Sequence, residues 1–163
     1  MNGEHEHFEF LHPRHWKQAK GYANGVVAAG RLVFIAGQVG WNAEQQFESQ
    51  DFVAQVRQAL ENIVAIVREA GGTPAHIGRL TWFITDKGEY LSRLPEVGKV
   101  YRSVMGRHFP AMTVVEVSAL LEDEAKVEIE ASAVVPHMNH AHVNTENGGF
   151  PEAPDNSARS RSS

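Results

Sequence analysis

The sequence predicts an α+β fold, a mixed sheet of about six strands with two helices packed on one face. Three observations point there. Apolar and polar residues alternate through residues 80–85, 112–117 and 125–135, the period of two expected of strands with one face in a core. Two longer stretches instead place apolar residues at helical spacing: Phe52, Val56, Leu60, Ile63 and Val67, then Leu91, Leu94, Val97, Val100, Tyr101 and Val104. The order is strand, strand, strand, helix, strand, helix, strand, strand. A helix is ~10 Å wide and strands lie ~4.8 Å apart, so two helices cover only about four strands, on one face. The other face is expected to carry Phe34 or Val33, Met112, Val114 and Val134. A half-apolar sheet face in water needs a cover, and the simplest is another copy of the same sheet, which would wall ligand sites with residues from both copies.

Residues 8–11 read as a short edge strand. Gly21, Asn24 and Gly25 make a turn-rich entry, and residues 26–29 and 32–38 read as two strands joined at Gly30-Arg31 in a hairpin. Residues 32–36 are apolar on both faces, so this strand is expected to be buried on both sides. Ser49 or Asp51 caps the first helix, and Gly71-Gly72 ends it. Residues 75–85 hold the next strand. The second helix runs over about 88–107, with an irregular first turn or a kink at Pro95. Pro110 fixes its own φ and pushes Phe109 into extended geometry, so that helix must stop before it. Two strands follow. In the first, Met112, Val114 and Glu116 share a face. In the second, Val127, Ile129, Ala131 and Ala133 share one face, and Glu128, Glu130 and Ser132 the other.

Composition narrows the function. At 163 residues the chain makes one domain, expected as an N-terminal extension over 1–18, a folded unit over 19–136 and a disordered tail over 137–163, where His, Asn, Gly, Pro and Ser replace any periodicity. The absence of cysteine excludes thiol catalysis, disulfides and Cys-based zinc sites, and fits a reducing, cytoplasmic location. The net charge of −5 argues against a nucleic-acid surface, and no apolar run approaches the ~20 residues that span a bilayer. No metal site is expected: His137, His140 and His142 fall in the tail and read as polar filler. Arg31, Arg102 and Arg107 are the arginines considered as a ligand-binding cation, each against the plainer reading of a solvated charge.

The run Gly21-Tyr22, then Leu32-Val33-Phe34-Ile35-Ala36-Gly37-Gln38, then Phe109-Pro110-Ala111 with Thr113-Val114-Val115-Glu116-Val117, then Lys126-Val127-Glu128-Ile129-Glu130-Ala131, resembles the RidA (YjgF) family over about residues 19–136. The resemblance implies a chorismate-mutase-like fold, a homotrimer with ligand clefts between subunits, and cofactor-independent hydrolysis of small reactive enamines or imines to a keto acid and ammonia. It implies that Glu128 positions water as the catalytic residue, and that Tyr22 and the Gly37 backbone line the cleft. Met112 stands where active imine deaminases of the family carry an arginine for the substrate carboxylate, and Val114 where they carry a cysteine, which marks a divergent subgroup.

The chemistry itself needs little: a carboxylate to hold and deprotonate water, donors for developing charge, and a cation for the substrate acid. Glu128 supplies the first; the competing reading makes Glu116, Glu128 and Glu130 interface hydrogen-bonding groups only. Met112 and Val114 read as packing, or as the walls of a pocket rebuilt for a less acidic or more aromatic ligand. Trp41 reads as a loop anchor or a ligand-stacking ring. The expected function is thus a RidA-like hydrolase or deaminase, with a non-catalytic ligand-binding trimer as the alternative.

Overall fold

Asp51 starts the first long helix because its carboxylate accepts the Ala54 N–H at 2.9 Å, and Gly71 ends it at φ 77°, a left-handed value that glycine adopts without strain. The computed structural model describes residues 8–137, in which this helix, α1, spans Phe52–Glu69. Ahead of it lie β1 (Glu9–Leu11), β2 (Gly25–Val27) and β3 (Arg31–Val39). After it come a 3-10 turn at Pro74–His76, β4 (Ile77–Ile84), α2 (Lys87–Ser92), α3 (Leu94–Met105), β5 (Ala111–Glu116) and β6 (Val127–Val135). Residues 1–7 and the expected tail beyond His137 lie outside the described residues.

The fold class is as the pattern predicts: six strands, and two long helices on one face of a mixed sheet. Four of the strands form that sheet in the order β3-β6-β4-β5, with β4 and β5 parallel and the other pairs antiparallel. A parallel pair needs a long crossover, which α2 and α3 provide. The side chains of α1 at Phe52, Val56, Leu60, Ile63 and Val67 are all buried against Ile35, Leu80, Val127, Ile129 and Ala133 of the sheet.

Four local expectations are corrected. β2 does not fold back on β3; it pairs antiparallel with β1, Phe10 opposite Val26, as a separate two-stranded ribbon. The ribbon crosses the sheet at Gly78, where an added Cβ would meet Phe8 and Val26, and Phe8 is only 7% exposed and stacks on His108. Strand β3 is covered on one side only: Ile35 is buried, whereas Phe34 is 78% exposed. Met112 and Val114 face the helices and not the open side, because they pair with Leu80 and Trp82, both core residues. Finally, the second helix is two. The chain leaves helical geometry at Arg93, and Pro95 sits in the first turn of α3, where a missing N–H costs nothing. Leu91 and Leu94, on either side of the break, therefore stay exposed, while Val97, Val100 and Tyr101 are buried.

Candidate functional site

The pairing of β3 with β6 slips between Ile35 and Gln38, leaving Ala36 and Gly37 without register partners. This is a β-bulge, a device that re-aims side chains at a sheet edge. The Gln38 side-chain amide donates back to the carbonyls of Ala36 (3.1 Å) and Gly37 (3.2 Å), so the bulge satisfies its own acceptors. Glu128 lies directly over it. A Cβ built on Gly37 would stand 1.8 Å from Glu128 Oε1 and 2.9 Å from its Cγ. Glycine is thus required at 37 for the carboxylate to rest against the backbone there, half-buried on the open face of the sheet.

Gln55 holds the strand that carries Glu128. Its amide, 1% exposed, donates to the carbonyls of Ser49 (3.0 Å) and Glu124 (2.9 Å) and accepts the Lys126 N–H at 2.8 Å. One buried side chain on α1 therefore fixes the start of β6.

Met112 and Val114 line a different place, a cavity of about 380 Å³ under α3. Trp82, Phe109 and Tyr101 supply its aromatic walls, with Trp82 and Tyr101 at 6.5 Å and Tyr101 and Phe109 stacked at 5.4 Å. Burial pushes the Tyr101 phenol well above its usual range, and it donates to the His108 carbonyl at 2.8 Å. Burial also raises Tyr90, another lining residue. Lys20 and Arg102 bring positive charge to the same cavity. Tyr22 is a half-exposed neighbour: it lines a second cavity of about 260 Å³, and Phe109 borders both. The Ala23 N–H bond to the Pro110 carbonyl, 2.9 Å, keeps this segment beside the start of β5.

The expected site residues thus fall into groups. Gly37 and Glu128 come together; Met112 and Val114 come together, with Tyr22 next door. The two groups do not meet in one chain. Glu128 pairs with Phe83 and Met112 with Leu80, and positions three apart on β4 face opposite sides of the sheet. Trp41 belongs to neither cavity: its ring packs on Phe47 at 6.1 Å, and its carbonyl accepts from Asn62 Nδ2 at 2.9 Å, tying the loop to α1. Glu116 accepts the Lys87 N–H at 2.8 Å and so caps α2.

The three candidate arginines separate as well. Arg31 donates to the Ala70 carbonyl at the end of α1, 2.6 Å. Arg107 lines the Tyr22 cavity, and Arg102 the Met112 cavity. The sequence does not rank them, and it does not mark Lys20, Tyr90 or Trp82 as lining the cavity. Arg102 follows Gly98 by four positions on α3, and its side chain leans back across that glycine. Among the described residues no cluster of three His, Cys, Asp or Glu could hold a metal ion, and no helix is long and apolar enough to cross a membrane. His140 and His142 lie outside the described residues.

Known proteins share this architecture. The family model described as Endoribonuclease L-PSP matches residues 14–135. A RutC family protein of Haemophilus influenzae is 38% identical over 108 residues, 66% of this chain and 82% of that one. A 2-iminobutanoate/2-iminopropanoate deaminase of Escherichia coli strain K12 is 35% identical over 116 residues, 69% of this chain and 86% of that one. Among solved structures, YyfB of the conserved Rid protein family from Yersinia pestis superposes with a TM-score of 0.71 at 30% identity, covering 79% of this chain and 99% of that one. The YjgF gene product of Escherichia coli gives a TM-score of 0.55 at 35% identity, over 69% of this chain and 87% of that one. With its fold and these relatives in agreement, the chain belongs to the RidA (YjgF) family.

Proposed function

We propose that this protein is a cofactor-independent hydrolase of small enamines or imines, acting in the cytoplasm as a homotrimer with a divergent cleft. The observation that carries the reading is the Glu128 carboxylate seated on the Gly37 bulge, in a chain 35% identical to a protein named as an imine deaminase. In the reaction, Glu128 takes a proton from water as the water oxygen bonds to the imine carbon. The nitrogen of the resulting carbinolamine is protonated, the C–N bond breaks toward nitrogen, and the hydroxyl proton leaves. The products are a carbonyl compound and ammonia, with no net change at Glu128. An enamine enters after protonation on carbon.

The two-sided placement of the residues supports a shared cleft. Glu128 and Gly37 lie on β6 and β3, toward one edge of the sheet, and Met112 on β5, the other edge strand. For all of them to touch one ligand, they must come from neighbouring copies. The exposed Leu32, Phe34 and Val115 on the sheet's uncovered side are the apolar surface such copies would share.

The test is ammonia release from freshly generated 2-iminopropanoate and larger amino-acid imines. The wild type should exceed the uncatalysed rate, and Glu128→Gln should fall roughly 100-fold, the low end of what positioned proton transfer contributes. A wild type no faster than buffer on every imine ends the reading. The second reading, a ligand-binding trimer without turnover, is favoured by one observation: Met112 gives the cavity neither charge nor fork where the resemblance implies an arginine.

A further inference from the structure

We propose that the cavity beside Met112 takes a carboxylate ligand with a bulky apolar or aromatic tail, and that Arg102 on α3 holds the carboxylate. The inference rests on the hydrolase reading for the carbonyl chemistry of the ligand, and on the cavity itself for its shape and charge.

Side chains on a helix lean toward its N-terminus, across the residue four positions earlier. For Arg102 that residue is Gly98. A Cβ built there would stand 3.5 Å from Arg102 Nη1 and 3.9 Å from Nη2, ordinary contact distances, so the guanidinium reaches back over Gly98 along the surface of α3. Both residues line the Met112 cavity. The fork is also unspent. Arg57 pairs with Glu61, Arg93 with Asp51 and Glu96, and Lys126 with Glu89, whereas no ion pair or side-chain hydrogen bond engages Arg102 among the described residues. Lys20 at the same cavity adds positive charge, and no Asp or Glu is among the residues that line it. A planar five-donor fork suits a carboxylate better than an ammonium does.

The walls set the tail. Trp82, Phe109, Met112 and Val114 are apolar or aromatic, and methionine adapts to irregular shapes. The volume of about 380 Å³ is in the range that holds drug-sized ligands, so a three-carbon imino acid would leave most of it unfilled. An arginine at 112 would occupy that space; moving the cation to α3 leaves the room for a larger side chain.

Calorimetry on the full-length protein tests this with three stable probes: phenylpyruvate, pyruvate, and phenylacetone, which is phenylpyruvate without its carboxylate. Phenylpyruvate should bind at least tenfold tighter than pyruvate. Arg102→Gln should weaken phenylpyruvate at least tenfold and leave phenylacetone unchanged. Arg102→Lys should fall between, and Met112→Arg added to Arg102→Gln should restore affinity for pyruvate. Equal binding of pyruvate and phenylpyruvate, no binding of either, or an Arg102→Gln protein that keeps its phenylpyruvate affinity or loses both aromatic probes alike overturns the proposal. Turnover separates the two readings. Arg102-dependent binding without ammonia release from any imine removes the hydrolase alone. Ammonia release with unchanged KM for aromatic imines in Arg102→Gln removes the present proposal alone.

Discussion

Glu128 and Gly37 form one unit, because the carboxylate occupies the volume a side chain at 37 would fill. Gly37→Ala places a methyl 1.8 Å from Glu128 Oε1 and 2.9 Å from Cγ. The glutamate must swing off the bulge, while the backbone, held by the Gln38 amide, need not change. A displacement of about 1 Å at a reacting group costs on the order of 100-fold in rate. The expected outcome is therefore a large loss of ammonia release with a thermal midpoint within a few degrees of wild type. A Gly37→Ala enzyme with normal turnover would show that Glu128 does its work elsewhere. The pair was half legible in the sequence. Alternation put Glu128 on the face away from Ile129, and the structure agrees. That Gly37 sits beneath it needed the bulge, which shifts the β3 register between Ile35 and Gln38 and leaves no mark in a strand read as continuous.

Asp51 joins two elements at once. Its carboxylate caps α1 through the Ala54 N–H and also pairs with Arg93, the residue between α2 and α3. The hydrogen bond from Arg93 holds the Asp51 carboxyl below the usual range, and Arg93 lowers Glu96 in the same way. A carboxyl lowered on folding stabilises the fold above its unfolded pKa of about 4, and that share disappears as the pH drops through the folded value. Asp51→Ala should cost about 1 kcal/mol at pH 7 from the lost cap. The gap from wild type in urea melts should narrow below about pH 4, and a constant gap would place the effect outside this carboxyl. Gln55 predicts a larger loss. Gln55→Leu strands the Lys126 N–H and the Ser49 and Glu124 carbonyls, which at roughly 1–3 kcal/mol per buried orphan outweighs the added apolar contact and lowers stability by about 3 kcal/mol. At this scale the sequence was most informative where a pattern is local: the cap at Asp51, the apolar stripe of α1 and the glycine stop. It failed where partners are distant. The β1–β2 ribbon depends on Phe8 reaching His108, one hundred residues on. The split at Arg93 depends on ion pairs that reach back to Asp51.

In a single chain Glu128 and Met112 face opposite sides of the sheet, so the proposed hydrolase has to work as an assembly. Glu128 lies on the open side near the β3 edge, and Met112 lies under α3 on the β5 edge. Contacts that join one patch to a different patch close into a ring when the rotation allows, and three copies would then make three equivalent clefts. Phe34, 78% exposed in the isolated chain, is the largest apolar group on the surface such a ring would bury. Burying a phenylalanine is worth about 1.5–3 kcal/mol, so Phe34→Lys should weaken each interface by roughly 10- to 150-fold, before the cost of burying the ammonium. Sedimentation equilibrium should show wild type as a trimer and Phe34→Lys as largely monomeric, with ammonia release lost although Glu128 is intact. Mixing supplies the stricter check. Glu128→Gln lacks the carboxylate, and Met112→Trp fills the cavity, so each should be inactive alone. If every cleft takes Glu128 from one copy and position 112 from the next, unfolding and refolding the two together should leave about one cleft in four intact by random assortment. Activity near a quarter of wild type fits shared clefts. A mixture as inactive as its components would mean that each chain works alone, and the opposed faces of Glu128 and Met112 would then leave no common site for them to serve.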